Sequence, residues 1–298
     1  MIEEIAANIK KQGNDMTNYK KGDRVKHTKV EDWGVGEVLG SSDGESIDIF
    51  FVGAGKKTLA KTARLIKVTG DEALHPLLNN LRKKEKTSKF VSIAQATQYF
   101  LKLLPGGFYE ENFIDKEREY KIKAHNLSIE LLNKDIIIEL IQKKEYQEIS
   151  KRALKVVGAT NLIFKNEIMS LNDGLKRYDS QEVFANRLYD LLFGNDKLQN
   201  RFEAFSRVLE EIEAAKWTTA SYFLFIHFPE EYMFLKPTVT QKVSELCGFE
   251  INYKPQLNWL TYSSVLKFSN YLKAALSELQ PRDMIDVQSF MWCIERYE

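Results

Sequence analysis

Cysteine is scarce in this chain: only Cys247 and Cys293 occur. Two thiols without paired CxxC spacing exclude a disulfide framework and a cysteine-ligated structural zinc site, and they fit a reducing cytoplasm. Long apolar runs are missing as well, none approaching the roughly 18 residues of a membrane span. The opening MIEEIAANIKKQG has no basic segment followed by an apolar one, the mark of a secretory signal, so the expected compartment is cytoplasmic and no membrane partner is expected. Charge of one sign is lacking too. With 43 Lys plus Arg against 42 Asp plus Glu the formal charge is +1, which excludes a chain-wide polybasic binder and leaves room for local basic patches. HExxH and GxSxG motifs and strand-end acidic dyads are absent, and the four histidines (27, 75, 125 and 227) are scattered. The sequence therefore calls for no metal and no other cofactor, and a non-enzymatic role is the leading expectation.

What is present is a chain of 298 residues, 44% hydrophobic and 29% charged, enough for two domains at about 100 to 200 residues each. The hydrophobic period changes along it. Ile2, Ile5 and Ile9 recur at helical spacing, predicting an amino-terminal helix within residues 1–18. From residue 19 to 70 the period drops to two: Val25 and His27, then Ile47, Ile49 and Phe51, then Thr58–Lys61 and Leu65–Val68 read as short strands. Seven of the 15 glycines fall between Gly22 and Gly55, as a small closed antiparallel barrel requires at its turns. Residues 71–90, ending in the basic LRKKEKTSKF, read as a linker. Residues 91–298 read as all-helical, with 91–195 and 196–298 as candidate subdomains. The expected fold class is α+β: a small barrel, then a large helical domain.

About eight helices are expected there. Ser92 and Gln95 form a capping box. Leu198, Phe202, Phe205, Leu209 and Ile212 make one apolar stripe within 196–216. Ser180 and Gly194 bracket another helix; Val239, Val243 and Leu246 stop at Gly248; Thr261 is read as a cap, and the last helix as 286–296. Residues 1–160 carry 28 basic and 23 acidic side chains and residues 161–298 carry 15 and 19, so the amino-terminal half is the expected side of any polyanion contact.

The run GDRVKHTKVEDWGVGEVLGSSDGESIDIFFVGAGKKTLAKTARLIKV is the most distinctive. Gly22, Val25, His27, Trp33, Gly34, Gly36, Val38, Ile49, Phe51, Gly55, Lys56, Leu59 and the tripeptide Ala63, Arg64, Leu65 carry its pattern. The run resembles the Tudor-like, SH3-like barrel at the carboxyl end of UvrD/PcrA-type helicases. That resemblance covers about a sixth of the chain and implies an interaction module that contacts RNA polymerase and assists nucleic-acid engagement; motor motifs are absent. Trp33, Lys56 and Lys57 are the expected contacts, an aromatic platform beside two cations. GAGKKT at 53–58 is not a Walker loop, because Phe50 stands where the first glycine belongs and the segment lies in a hairpin.

In the helical part, Glu117, Tyr120, Lys121 and His125 share one helix face, an arrangement that permits acid–base convergence and more commonly gives a surface ion pair. Further on, KWTTASYFLFIHFPEEYMFLKPTVTQKVSELCGFEINY, NWLTYSSVLKF and PRDMIDVQSFMWCI resemble helical modules attached to bacterial restriction and phage-defence proteins. Lys236, at the start of a helix beginning at Pro237 or Thr238, is expected to join Trp259, Tyr262 and Arg282 in an anion or base-stacking site. Phe223, Phe225, Phe228, Phe234 and Trp292 are expected in the core, and Asp283 and Asp286 as helix caps. The functional expectation is a bacterial interaction protein that docks on transcription or DNA-repair machinery, by resemblance RNA polymerase, or on nucleic acid, with phage defence as a setting. A direct DNA-binding module is one alternative. A nucleic-acid-processing enzyme of helical base-excision type, using Asp283 or Asp286, is another.

Overall fold

A computed structural model describes residues 19–40, 45–82 and 90–297. Two compact units meet in the sequence at Leu81 and Arg82. The helix expected within 1–18 and the basic residues 83–89 lie outside the described residues.

Five antiparallel strands build the first unit: β1 (Arg24–His27), β2 (Val35–Gly40), β3 (Ser46–Phe51), β4 (Gly55–Ala60) and β5 (Leu65–Lys67). They are hydrogen-bonded in the order β4-β3-β2-β1-β5, leaving β4 and β5 as edges. Alternation along β3 turns Ile47, Ile49 and Phe51 to one side, where they meet Val25, Val38 and Leu65; Tyr19, Trp33, Leu59 and Ala63 close the rim. Two glycines make so small a core sterically feasible. Gly36 lies opposite Phe51 in the β2–β3 register, and a Cβ there would stand 2.7 Å from the Phe51 ring. A Cβ on Gly53 would stand 2.1 Å from the Asp32 carbonyl oxygen, while the Gly53 N–H donates to the Trp33 carbonyl at 3.0 Å. Part of the stretch read as linker is folded. A 3-10 turn (Gly70–Ala73) leads to the short helix α1 (Pro76–Asn79), capped by His75, whose Nδ1 accepts from the Leu77 N–H at 3.2 Å.

The second unit holds twelve α-helices among the described residues, more than the eight expected. They are α2 (Ile93–Leu103), α3 (Glu111–Phe113), α4 (Glu119–Leu131), α5 (Lys134–Gln142), α6 (Tyr146–Val157), α7 (Lys165–Gly174), α8 (Tyr178–Phe193), α9 (Leu198–Glu211), α10 (Trp217–His227), α11 (Pro237–Leu246), α12 (Trp259–Ala275) and α13 (Met284–Ile294). A π-helical stretch, Ile114–Arg118, joins α3 to α4. All eleven residues of α10 are buried, as befits a helix apolar on every side, so this helix is the centre of the unit. Phe223 on α10 packs its ring against Phe184 of α8 and Phe205 of α9. The α-plus-β architecture follows the sequence reading.

Several ends differ. The Ser92–Gln95 capping box forms as expected. Asn258, not Thr261, caps α12 by accepting from the Thr261 N–H, because the Thr261 hydroxyl is already donating to the Asn252 carbonyl at 2.7 Å. Ser180 lies buried in the first turn of α8, and Gly194 ends that helix with an ordinary φ of −64°. The apolar stripe of α9 buries Phe202, Phe205 and Leu209, but the helix stops before Ile212. Asp283 caps α13, which starts two residues earlier than expected, at Met284; Asp286 sits in its first turn. Phe223, Phe225 and Phe234 are core residues, whereas Phe228 and Trp292 are only half-buried.

Candidate functional site

In the first unit the 3-10 turn Glu31–Trp33, ended by Gly34 at a φ of 67°, brings the indole of Trp33 to the rim of the core. One neighbour is Phe51, with ring centroids 5.1 Å apart; another is His27, also at 5.1 Å. The Lys57 ammonium lies over the indole at 5.6 Å. Alternation explains the lysine's position: on β4, Lys57 and Leu59 turn toward the core side, with Ile49 opposite Lys57. Lys56 points the other way and pairs with Asp48 at 3.1 Å. The structure thus joins Trp33 and Lys57 and places Lys56 in a cross-strand ion pair. His27 completes the cluster, its Nδ1 accepting from the Lys29 N–H at 3.2 Å, which leaves Nε2 as the proton-bearing nitrogen.

In the second unit Lys236 is the residue before α11, as the sequence suggests, and its ammonium sits 4.8 Å from the Phe164 ring and 5.3 Å from the Trp292 ring. The Arg296 guanidinium stands 5.9 Å from the same indole. Trp259 and Arg282 do not join them. Trp259 packs beside Phe202 and Tyr262. Arg282 donates to Asp286 at 2.8 Å and to the Phe108 carbonyl at 2.6 Å, and stacks over Tyr109 at 4.8 Å. Its donors are largely spent inside the protein, so it is a poor polyanion contact.

Arg282 belongs to a buried charge cluster that short-range spacing did not reveal. Arg118, at the end of the π-helical stretch, grips Asp283 with two bonds of 2.8 and 2.6 Å and reaches Asp286 at 2.9 Å. Asp286 is wholly buried and also takes the Arg282 backbone N–H at 2.9 Å. Burial is the largest influence on Arg118 and opposes its charge, but Asp283 and Asp286 together outweigh it and raise the guanidinium pKa above its ordinary value. One turn along α4, Lys121 is not the surface partner expected of an i,i+4 pair. It is fully buried, donates to Ser289 at 2.7 Å, and lies 3.5 Å from Glu117. Burial pulls its pKa down to about 8 against the opposing pull of Glu117. Glu117, Asp283 and Asp286 balance Arg118, Lys121 and Arg282, and the two aspartates offered as catalytic acids are neutralised by arginines instead of facing a cleft.

His125 bonds to the Ile226 carbonyl at 2.7 Å, not to a cation or acid, and its neighbour His227 meets the Ser128 hydroxyl at 2.9 Å. Burial, helped by His125, pulls the His227 pKa down to about 4, so the ring is neutral near pH 7. Burial pushes the Cys293 thiol up to about 11 and the Cys247 thiol up to about 12, which makes both poor nucleophiles. Among the described residues no three His, Cys, Asp or Glu side chains converge as metal ligands, and no helix is long and apolar enough to cross a membrane.

Sequence reasoning missed Phe164, Arg296 and the ring-to-lysine geometry. A phenylalanine directly before a helix, where Ser, Thr, Asp or Asn is usual, was the available signal. Compared with known proteins, residues 19–68 match a family described as "Protein of unknown function (DUF3553)". No curated protein and no solved structure matches the chain.

Proposed function

We propose that the protein is a docking protein whose strand unit engages a macromolecular partner in bacterial transcription or DNA repair, RNA polymerase being the partner that the helicase-barrel resemblance favours. The observation that carries this reading is the Trp33 cluster, a half-buried indole at the rim of a tiny core with Lys57 and His27 against it. An aromatic ring rooted in a core and open on one side loses little side-chain entropy on binding, and such rings dominate interface energetics. The helical unit supplies a second contact surface, and its buried charges serve to hold it together. A role in phage defence is the setting that the carboxyl-terminal resemblance suggests. The base-excision alternative is disfavoured by the arginine-paired state of Asp283 and Asp286; direct DNA binding remains as the second reading because Lys57 has no carboxylate partner among the described residues.

The test is retention of purified bacterial RNA polymerase by the full chain after nuclease treatment. Trp33→Ala should weaken retention at least tenfold while amide protection over residues 19–68 persists, showing that the strand unit is still folded. Retention that is equal in the variant, or that vanishes with nuclease, would overturn the polymerase reading.

A further inference from the structure

Lys236 occupies an unusual position for a surface lysine. Its ammonium lies over two aromatic rings, Phe164 at 4.8 Å and Trp292 at 5.3 Å, and the Arg296 guanidinium lies over that same Trp292 ring at 5.9 Å. Neither cation is matched to a carboxylate among the described residues. Phe164 is 57% exposed, a large apolar face left in water. Beyond Arg296 the strip continues: the Arg296 carbonyl accepts from the Tyr99 hydroxyl at 3.3 Å, and the Tyr99 and Tyr297 rings lie 5.1 Å apart.

The helix that follows Lys236 adds to the same charge. α11 has no side-chain cap and no acidic residue in its first turn, so the positive end of its dipole is not neutralised locally. α7, whose preceding residue is Phe164, differs: Glu167 accepts from the Phe164 N–H and from Thr218, so that terminus already has its anion. The Lys236 ammonium and the positive end of α11 therefore lie together, beside an exposed ring.

From this juxtaposition we infer that the strip Phe164–Lys236–Trp292–Arg296 binds single-stranded nucleic acid, with unpaired bases stacking on the exposed Phe164 ring and phosphates meeting Lys236, Arg296 and the start of α11. Stacking on an open ring needs an unstacked base, and the alternation of cation and ring matches a chain that alternates phosphate and base. A duplex presents phosphates but hides its base faces, so it gains only the electrostatic part. This assignment rests on the docking reading only in that both describe a non-catalytic binder; its residues are separate from the Trp33 cluster.

The experiment is fluorescence anisotropy of a labelled oligothymidylate, and of a duplex of equal length, titrated with the full chain and with Phe164→Ala, Lys236→Gln and Trp33→Ala variants. The wild type should prefer the single strand, with affinity falling as salt rises. Phe164→Ala should weaken single-strand binding about five- to 150-fold, the range of one lost base stack, and leave duplex binding unchanged. Lys236→Gln should weaken both and flatten the salt dependence. Phe164 is exposed, so its truncation leaves the core intact, and an unchanged thermal midpoint verifies this. No single-strand binding by the wild type, or binding that survives both Phe164→Ala and Lys236→Gln, overturns the inference. Binding lost only in Trp33→Ala overturns it too, while leaving the barrel reading standing.

Discussion

Replacing Arg118 by methionine should be among the most damaging single changes in the helical unit. The guanidinium makes three charge-assisted bonds of 2.6 to 2.9 Å to Asp283 and Asp286. Asp283 is 5% exposed and Asp286 is fully buried. Removing the cation leaves Asp283 with only the N–H groups of Ile285 and Asp286, and Asp286 with Arg282. Breaking a buried pair from one side costs about 3 to 5 kcal/mol, because the orphaned charge keeps its desolvation penalty without its partner. At roughly 2 to 4 °C per kcal/mol for a unit of this size, the thermal midpoint should drop by about 6 to 20 °C. The contrasting variant is Lys121→Met. There a pKa pulled down to about 8 makes the buried ammonium a net burden on the order of 3 kcal/mol after the help of Glu117, Ser289 keeps its bond to the Ile285 carbonyl at 2.9 Å, and Glu117 reaches solvent. That variant should be neutral or more stable by about 1 to 3 kcal/mol. Since the unfolded lysine holds its proton to higher pH than the folded one, wild-type stability should also rise with pH above about 8, relative to Lys121→Met. Differential scanning calorimetry of the three proteins decides the matter. An Arg118→Met midpoint within about 2 °C of wild type would refute the claim that the cluster clamps the π-helical stretch to α13.

Three other outcomes follow from the same reasoning. His227 titrates near 4 when folded and near 6.5 when unfolded, so its contribution is fully present above pH 6.5 and is lost toward pH 4; up to about 3 kcal/mol should disappear across that window in denaturant titrations, and His227→Gln should flatten the slope. Gly53→Ala forces a methyl against the Asp32 carbonyl, which cannot move without releasing Trp33; a loss of about 1 to 3 kcal/mol in the strand unit should appear as faster amide exchange over residues 19–68. Asn258→Ala removes the cap that accepts from the Thr261 N–H at 2.8 Å and should cost about 1 kcal/mol in the midpoint of the helical unit.

Local chemistry was legible in the sequence wherever it acts over a few residues. The Ser92–Gln95 box, the Phe202–Phe205–Leu209 stripe and the alternation of Ile47, Ile49 and Phe51 all depend on spacing within one element, and all appear in the fold. The charge cluster was not legible, because Arg118 finds partners 165 and 168 residues away and no short-range pattern announces them. Spacing even misled at Glu117 and Lys121, where an i,i+4 pair is a surface feature only if the helix face points to water; the π-helical stretch and α13 decide otherwise. Lys236, Trp259 and Arg282 were grouped because each is suited to anions or bases, yet chain topology gives each a different neighbour. On the strand unit, alternation along β4 puts Lys57 on the core side opposite Ile49 and Lys56 on the other face near Asp48, but the contact of Lys57 with Trp33 also needs the Glu31–Trp33 turn, which strand spacing does not announce.

The central claim is that the Trp33 cluster is a docking surface and not merely the lid of a small core. Its most direct measurement is the affinity of nuclease-treated bacterial RNA polymerase for the full chain carrying Lys57→Glu, a substitution at a partly exposed site that leaves the indole in place. A loss of binding of at least tenfold with an unchanged thermal midpoint is the expected result; undiminished binding, with the fold intact, would contradict it.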